Sequence, residues 1–158
     1  MPAGRVLACG LATVDVVQGL KRMPGANEKV VALGTRLEAG GPALNAAVTA
    51  ALLGMPSRLA AAVGRSPLAE VVRADCASHG VELVDIAADG FEVPVSSVLV
   101  TEPTGERAVV SRNAVGVSSW AALDVDAVLR GVTAVLVDGH HLPVAVGVAT
   151  KAREHGIP

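Results

Sequence analysis

Aromatic residues are scarce in this sequence, which has no Tyr, one Phe (Phe91) and one Trp (Trp120). Single-stranded nucleic acid is gripped largely by stacking bases on aromatic rings, and the chain has no such platform to offer. Charge of one sign is lacking as well. A net charge of −2 gives no basic field for a phosphate backbone or an anionic membrane surface, so neither nucleic acid nor membrane is an expected partner. There are two cysteines, Cys9 and Cys76, each isolated in an apolar segment without metal-ligand spacing. They read as buried thiols of a reducing compartment. No apolar run reaches the length of a membrane span, and no long apolar stretch follows the N-terminal charge, so the expected location is cytoplasmic. Also missing are the G-x-x-x-x-G-K-[ST] phosphate loop and the G-x-S-x-G elbow.

The sequence is rich in Ala and Val, and 51% of it is apolar. At 158 residues it is long enough for one domain that buries roughly 68–70% of its unfolded surface. The stretch around which the rest is organised is Glu38-Ala39-Gly40-Gly41-Pro42-Ala43-Leu44-Asn45. Two successive glycines let the backbone turn and approach a ligand closely. Pro42 suits the first turn of a helix, where a missing N–H costs nothing. Residues 43–53 then read as a helix apolar almost all round and hence buried, with Asn45 as its one amide. A buried amide needs partners, and a ligand hydroxyl is a candidate. A helix-capping loop without a ligand is the alternative.

Taken in order, residues 5–17 read as one strand buried on both faces. Asp15 is out of place there, since a carboxylate among valines is costly to bury without hydrogen bonds. It is either a cap or an acceptor for ligand hydroxyls at the carboxyl end of a parallel strand. Gly10 marks a bulge or a close approach near that end. A turn-rich loop follows at 20–28, and 29–37 has strand character. Beyond the first helix, 57–63 and 81–87 read as strands, with a helix between them opened by Ser66 and Pro67 and closed by His79 and Gly80. This β-α-β-α-β order argues for a parallel sheet covered by helices. Residues 93–101 and 106–112 then form an antiparallel hairpin around Pro103 and Gly105, with Ser97, Arg107 and Arg112 on a polar face. A helix at 120–130 opened by Ser118 and Ser119, a strand at 132–138 and a helix at 143–155 follow. Ile157 and Pro158 point into a further strand, so the chain reads as the N-terminal portion of a longer α/β protein. His140 and His141 point opposite ways on an extended segment and have no third ligand at suitable spacing, so they are expected to line the crevice without holding a metal.

Gly10 and Asp15, then Gly40-Gly41-x-x-x-Asn45, then Gly54 and Gly64, and finally Thr104-Gly105-Glu106-Arg107 together resemble the ribokinase-like (PfkB) carbohydrate kinases over essentially the whole length. The spacing from Asp15 through Met23, Pro24 and Asn27 to Asn45 is most similar to the fructokinase (ketohexokinase) branch. The resemblance implies a ribokinase-like α/β fold with a small antiparallel β lid, built from segments at about 18–38 and 92–113. It also implies transfer of the ATP γ-phosphate to a sugar hydroxyl, a fructose-like ketose being favoured, with Mg2+ and ATP as cofactors. Asp15, Asn27, Asn45, Gly40 and Gly41 would then hold the sugar, and Arg107 would approach the transferred phosphoryl group. Val98, Val100 and Val109 would make a homodimer contact through the lid. Asn27 stands where many relatives carry Asp, Pro42 replaces a frequent polar residue, and the acidic residues usual after Gly64 are replaced by Arg65, Ser66 and Pro67. The family's catalytic base lies in a Gly-Ala-Gly-Asp motif with the ATP pocket, and neither is matched here, so no catalytic residue is expected in this chain and it should be inactive alone. A nucleoside kinase of the same family, or a non-catalytic sugar-binding or interaction protein, are the competing readings.

Overall fold

In the computed structural model, which describes residues 4–113 and 123–158, the elements divide between two four-stranded sheets. Sheet A holds β1 (Arg5–Cys9), β4 (Ser57–Ala61), β5 (Glu82–Asp85) and β8 (Val132–Val137), all parallel, in the order β5-β4-β1-β8. Sheet B holds β2 (Thr13–Leu20), β3 (Gly34–Gly40), β6 (Val95–Thr101) and β7 (Arg107–Ser111), in the order β3-β2-β6-β7. The expected antiparallel hairpin is β6 and β7, while the central pair of sheet B, β2 and β6, is parallel, so that sheet is mixed. The helices are α1 (Pro42–Leu52), α2 (Ala69–Ser78), α3 (Val125–Leu129) and α4 (Leu142–Glu154).

Alternation along the strands of sheet A feeds two cores. Ala8, Leu59, Ala61 and Val63 pack with Leu44 and Ala47 of α1 and Val72 and Cys76 of α2. Leu7, Cys9, Ala60 and Ala62 pack on the opposite side with Val128 of α3 and Val144 and Val148 of α4. A buried parallel strand needs apolar residues on both faces, and Ala and Val supply them in little space. From β1 the chain winds one way through α1 to β4 and through α2 to β5, then returns through α3 to β8 on the other side of β1. The gap between β1 and β8 is therefore a switch point, and in open α/β sheets the crevice for ligands opens beyond the strand ends there.

Residues 5–17 are not one strand. Gly10 N–H donates to Ala60 O in the last step of sheet A, Leu11 N–H leaves the ladder for the side chain of Asp138, and Thr13 begins sheet B. Strand β3 likewise starts at Gly34 and runs to Gly40, five residues later than expected at one end and three at the other. Helix α1 is not buried all round: Ala43, Leu44 and Ala47 form its covered face, whereas Leu53 at its C-cap is 78% exposed. Apolar composition overstated burial because alanine is as compatible with a surface as with a core. Ser66 Oγ accepts from Ala69 N–H before α2, and Asp124 Oδ1 accepts from Ala127 N–H to cap α3. The proposed opening of that helix at Ser118, Ser119 and Trp120 lies outside the described residues. At the C-terminus Pro158 O accepts from Val135 N–H of β8.

Candidate functional site

The two sheets meet where the chain crosses from β1 to β2 and from β3 to α1. Asp15 is the third residue of β2, so it stands in sheet B and not at the carboxyl end of the first strand as expected. Its register partners are Glu38 of β3 and Ser96 of β6. Thr13, two residues back on the same face, donates from Oγ1 to Asp15 Oδ1 at 3.0 Å. On that face Gly40 lies directly under the carboxylate: a Cβ there would come within 2.4 Å of Asp15 Oδ2 and 3.0 Å of Thr13 Oγ1. Gly41 is needed for a different reason. It has φ 101°, and a Cβ would lie 2.4 Å from the carbonyl oxygen of Leu11.

Helix α1 starts at once from Gly41, with Pro42 at its first position. Asn45 N–H donates to Gly41 O at 2.9 Å, which sets Asn45 one turn above the glycine pair. The residue is exposed, contrary to the expected buried amide. An exposed amide there needs no protein partner and is free to meet a ligand.

Asn27 and Arg107 stand at the other end of sheet B. Asn27 sits with φ 56° in the loop between β2 and β3. That loop is closed by a two-pronged ion pair: Arg22 Nη1 donates to Glu28 Oε2 at 2.7 Å and Nη2 meets Oε1, while Gly25 N–H donates to Oε2 at 2.9 Å. Arg22, first by hydrogen bond, and Gly25 N–H push the Glu28 carboxyl down to about 2. Arg107 opens β7 opposite Val100, which itself pairs with Gly19. Asp15 and Arg107 therefore share a face, but four residues and two strands separate them, about 16 Å from strand spacings alone. The structure brings together Asp15, Gly40, Gly41 and Asn45, and leaves Asn27 and Arg107 at the far tip. The hairpin's polar residues do not share one face: Ser97 pairs with Val110, and Arg107 lies on the opposite face with Val98, Val100 and Val109.

The sequence marks Asp138 only as the last residue of the strand expected at 132–138. Its side chain is 4% exposed at the end of β8. Oδ2 accepts from Leu11 N–H at 2.8 Å and from Ala43 N–H at 3.1 Å, and Oδ1 accepts from His140 N–H at 2.8 Å. Gly10 is the close approach the sequence pointed to, since a Cβ there would fall 2.1 Å from Asp138 Oδ1. The available signal was a carboxylate ending an apolar strand immediately before a glycine. Burial, helped by Asp138, pushes the Cys9 thiol up to about 11. His141 has φ 54° at the N-cap of α4, so the pair of histidines lies on a turn and not on an extended segment. Burial lowers the His141 imidazole against the opposing pull of Asp138. Among the described residues no group of three or more His, Cys, Asp or Glu is placed to hold a metal ion. No described helix is long and apolar enough to cross a membrane.

Solved structures share this arrangement. A presumptive ribokinase from Agrobacterium tumefaciens is 25% identical with a TM-score of 0.84, the match covering 99% of this chain and 51% of that one. An Arabidopsis thaliana ribokinase, solved with ribose and ATP, is 19% identical with a TM-score of 0.77, covering 100% and 52%. A carbohydrate kinase, also from Agrobacterium tumefaciens, is 18% identical with a TM-score of 0.78, covering 98% and 52%. The chain spans about half the length of these relatives. The family model for pfkB family carbohydrate kinases matches residues 4–153, and the chain belongs to that family.

Proposed function

We propose that this chain supplies the acceptor side of an ATP-dependent sugar kinase, with a fructose-like ketose as the favoured substrate. The observation that carries the reading is the junction of the two sheets. There the Asp15 carboxylate, oriented by Thr13, lies over Gly40, and the exposed Asn45 stands one turn along α1 from Gly41. Asp15 accepts hydrogen bonds from sugar hydroxyls, and a bond to an ionised group contributes roughly 1.5–3 kcal/mol. Asn45 can both donate and accept. The side-chain-free glycines let the sugar approach the main chain. Sheet B acts as a lid over the crevice, bringing Asn27 and Arg107 from its tip toward the bound sugar when it closes. The Arg107 guanidinium then meets the negative charge of the transferred phosphoryl group.

ATP supplies the phosphoryl group and Mg2+ offsets its charge, chemistry in which positioning and electrostatics dominate. Among the described residues no group of three or more His, Cys, Asp or Glu is placed to hold a metal ion, and we assign the general base and the nucleotide pocket to residues outside these 158. The 158 residues alone are expected to be inactive. Sheet B also pairs with its twin in a homodimer, and the protein works in the cytoplasm. The test is ADP release by the protein at its natural length across a panel of fructose, ribose, other sugars and nucleosides. Turnover fastest with a ketose supports the reading. Turnover with nucleosides alone would establish a nucleoside kinase, and sugar binding without any turnover would establish a binding module.

A further inference from the structure

We infer that Asp138 is a positioning residue for the sugar site, an assignment that rests on the sugar reading of Asp15 and Asn45. Its carboxylate sits where three separate pieces of backbone are held together. Through Oδ2 it ties Leu11, in the crossover from β1 to β2, to Ala43, at the second position of α1. These two residues bracket a close backbone approach in the site, for Gly41 rests against Leu11 O. Through Oδ1 it holds His140 N–H at the start of the turn into α4. Neither Leu11 nor Ala43 has a ladder or helix partner for its N–H at that point, and Gly41 offers no side chain to cap α1. One buried carboxylate, reached from 127 and 95 residues away in sequence, satisfies both.

The consequence for the ligand runs through geometry. Leu11 leads within two residues to Thr13 and within four to Asp15, and Ala43 leads within two to Asn45. Asp138 thus fixes the distance between the strand that carries the carboxylate and the helix that carries the amide. A negative group at the start of α1 is also favoured by the helix dipole. It occupies the N-terminus itself, so the glycine turn is left to neutral hydroxyls rather than to an anion.

The test uses Asp138→Asn in the protein at its natural length, beside Asp15→Ala. The asparagine oxygen can stand at only one of the two positions: at that of Oδ2 its NH2 faces His140 N–H, and at that of Oδ1 its NH2 faces Leu11 and Ala43 N–H. In either orientation the charge that strengthens these bonds is gone, so register is loosened without a change of volume. Amide exchange at Leu11 and Ala43 in the sugar-free variant is expected to speed up by about tenfold or more, a loss of roughly 1.4 kcal/mol of local protection. The sugar KM should rise by about tenfold while the KM for ATP stays within about twofold, because only the acceptor side is displaced. Unchanged exchange would overturn the inference. Faster exchange with a normal sugar KM, while Asp15→Ala raises that KM, would also overturn it and leave Asp138 a purely structural residue. If neither variant alters sugar use, the sugar reading itself fails and the inference falls with it. Should Asp138→Asn not fold, the unmutated protein decides. The sugar it phosphorylates fastest should slow exchange at Leu11 and Ala43 but not at Val63 and Gly64, and no difference between the two pairs would refute the coupling.

Discussion

Replacing Gly40 by Ala tests the centre of the proposed site with a single methyl group. The backbone of Gly40 is not in the left-handed region, so alanine meets no conformational barrier there. What it meets is the Asp15 carboxylate, 2.4 Å away at Oδ2 and 2.9 Å at Cγ. To restore ordinary contact the carboxylate must withdraw by about 1 Å, which a side chain can do at little cost but which moves it off its bond to Thr13. Misplacing a binding group by about 1 Å can lower turnover efficiency by up to about a hundredfold. The expected loss in kcat/KM for the sugar is therefore between about tenfold and a hundredfold, or roughly 1.4–2.7 kcal/mol. Stability should barely change, since the about 0.4–1 kcal/mol gained by restricting the unfolded chain offsets a lost hydrogen bond of similar size.

Gly41→Ala gives the contrast. Its methyl group meets the Leu11 carbonyl oxygen and the Ala12 Cα, backbone atoms that cannot swing aside, and the φ of 101° is itself unfavourable for alanine. It should destabilise by on the order of 3 kcal/mol. Steady-state kinetics and thermal melts on both variants separate the two effects. A double-mutant cycle sharpens the first: in an Asp15→Ala background, where the atom in the way is gone, Gly40→Ala should cost little more. Full additivity of the two losses, or a normal sugar KM for Gly40→Ala, would refute the placement of Asp15 in the site.

Asp85 should show in the acid limb of the stability curve. Burial alone would raise its carboxyl, but N–H groups of Val63, Ala87 and Gly64 and the Arg73 guanidinium at 2.6 Å outweigh that and hold it below the usual range. Its contribution is thus present above the unfolded carboxyl value of about 3.9 and is lost as pH falls through the lowered folded one. Asp85→Asn should lower Tm at pH 7 and flatten the acid limb, and an unchanged limb would refute the account. Burial pushes the thiols of both Cys9 and Cys76 up to about 11, so neither should react with a disulfide reagent at pH 8 before unfolding, and prompt labelling would count against it. Sheet B presents Val109 at 51% exposure on the Asp15 face and Val110 at 76% on the other. If the proposed homodimer uses the expected face, Val109→Glu should give a monomer by light scattering while Val110→Glu should not, and the reverse result would move the contact to the opposite face.

Fold class was legible in the sequence because parallel strands buried on both faces leave nearly continuous apolar runs with helices between them, as at 57–63. The same property hid the most important boundary. Between Arg5 and Val17 every residue near the break is small or apolar, so nothing in hydropathy marks where sheet A ends and sheet B begins. The break is set by a carboxylate more than a hundred residues away, which no local pattern can reveal. Strand β3 was displaced in the reading because Val30 and Val31 have strand propensity, yet pairing with β2 starts at Gly34, where the loop closed by Arg22 and Glu28 lets the chain return. The glycine pair was legible as a close approach. Which group approaches each glycine was not, since that depends on tertiary register.

Those boundaries and the site have one cause. Wherever a chain passes between two sheets, its N–H groups leave one ladder before they enter the next, and each buried one needs an acceptor. Here the passages coincide: Leu11 N–H and Ala43 N–H go to Asp138, and Val14 N–H goes to Pro94 O at 2.9 Å, where the chain enters β6. Three crossings packed into one junction leave no room for side chains at Gly10, Gly40 and Gly41, and draw carboxylates and amides to the same few ångströms. The glycines are thus demanded by the fold before any ligand is considered. Asp15 is the exception that separates function from architecture. Its carboxylate takes one hydrogen bond, from Thr13, and none from the backbone among the described residues, so unlike Asp138 it does not hold the junction together. A part-buried carboxylate over a glycine at the junction of the two sheets, with most of its acceptor capacity unused, is what the proposed binding of sugar hydroxyls requires.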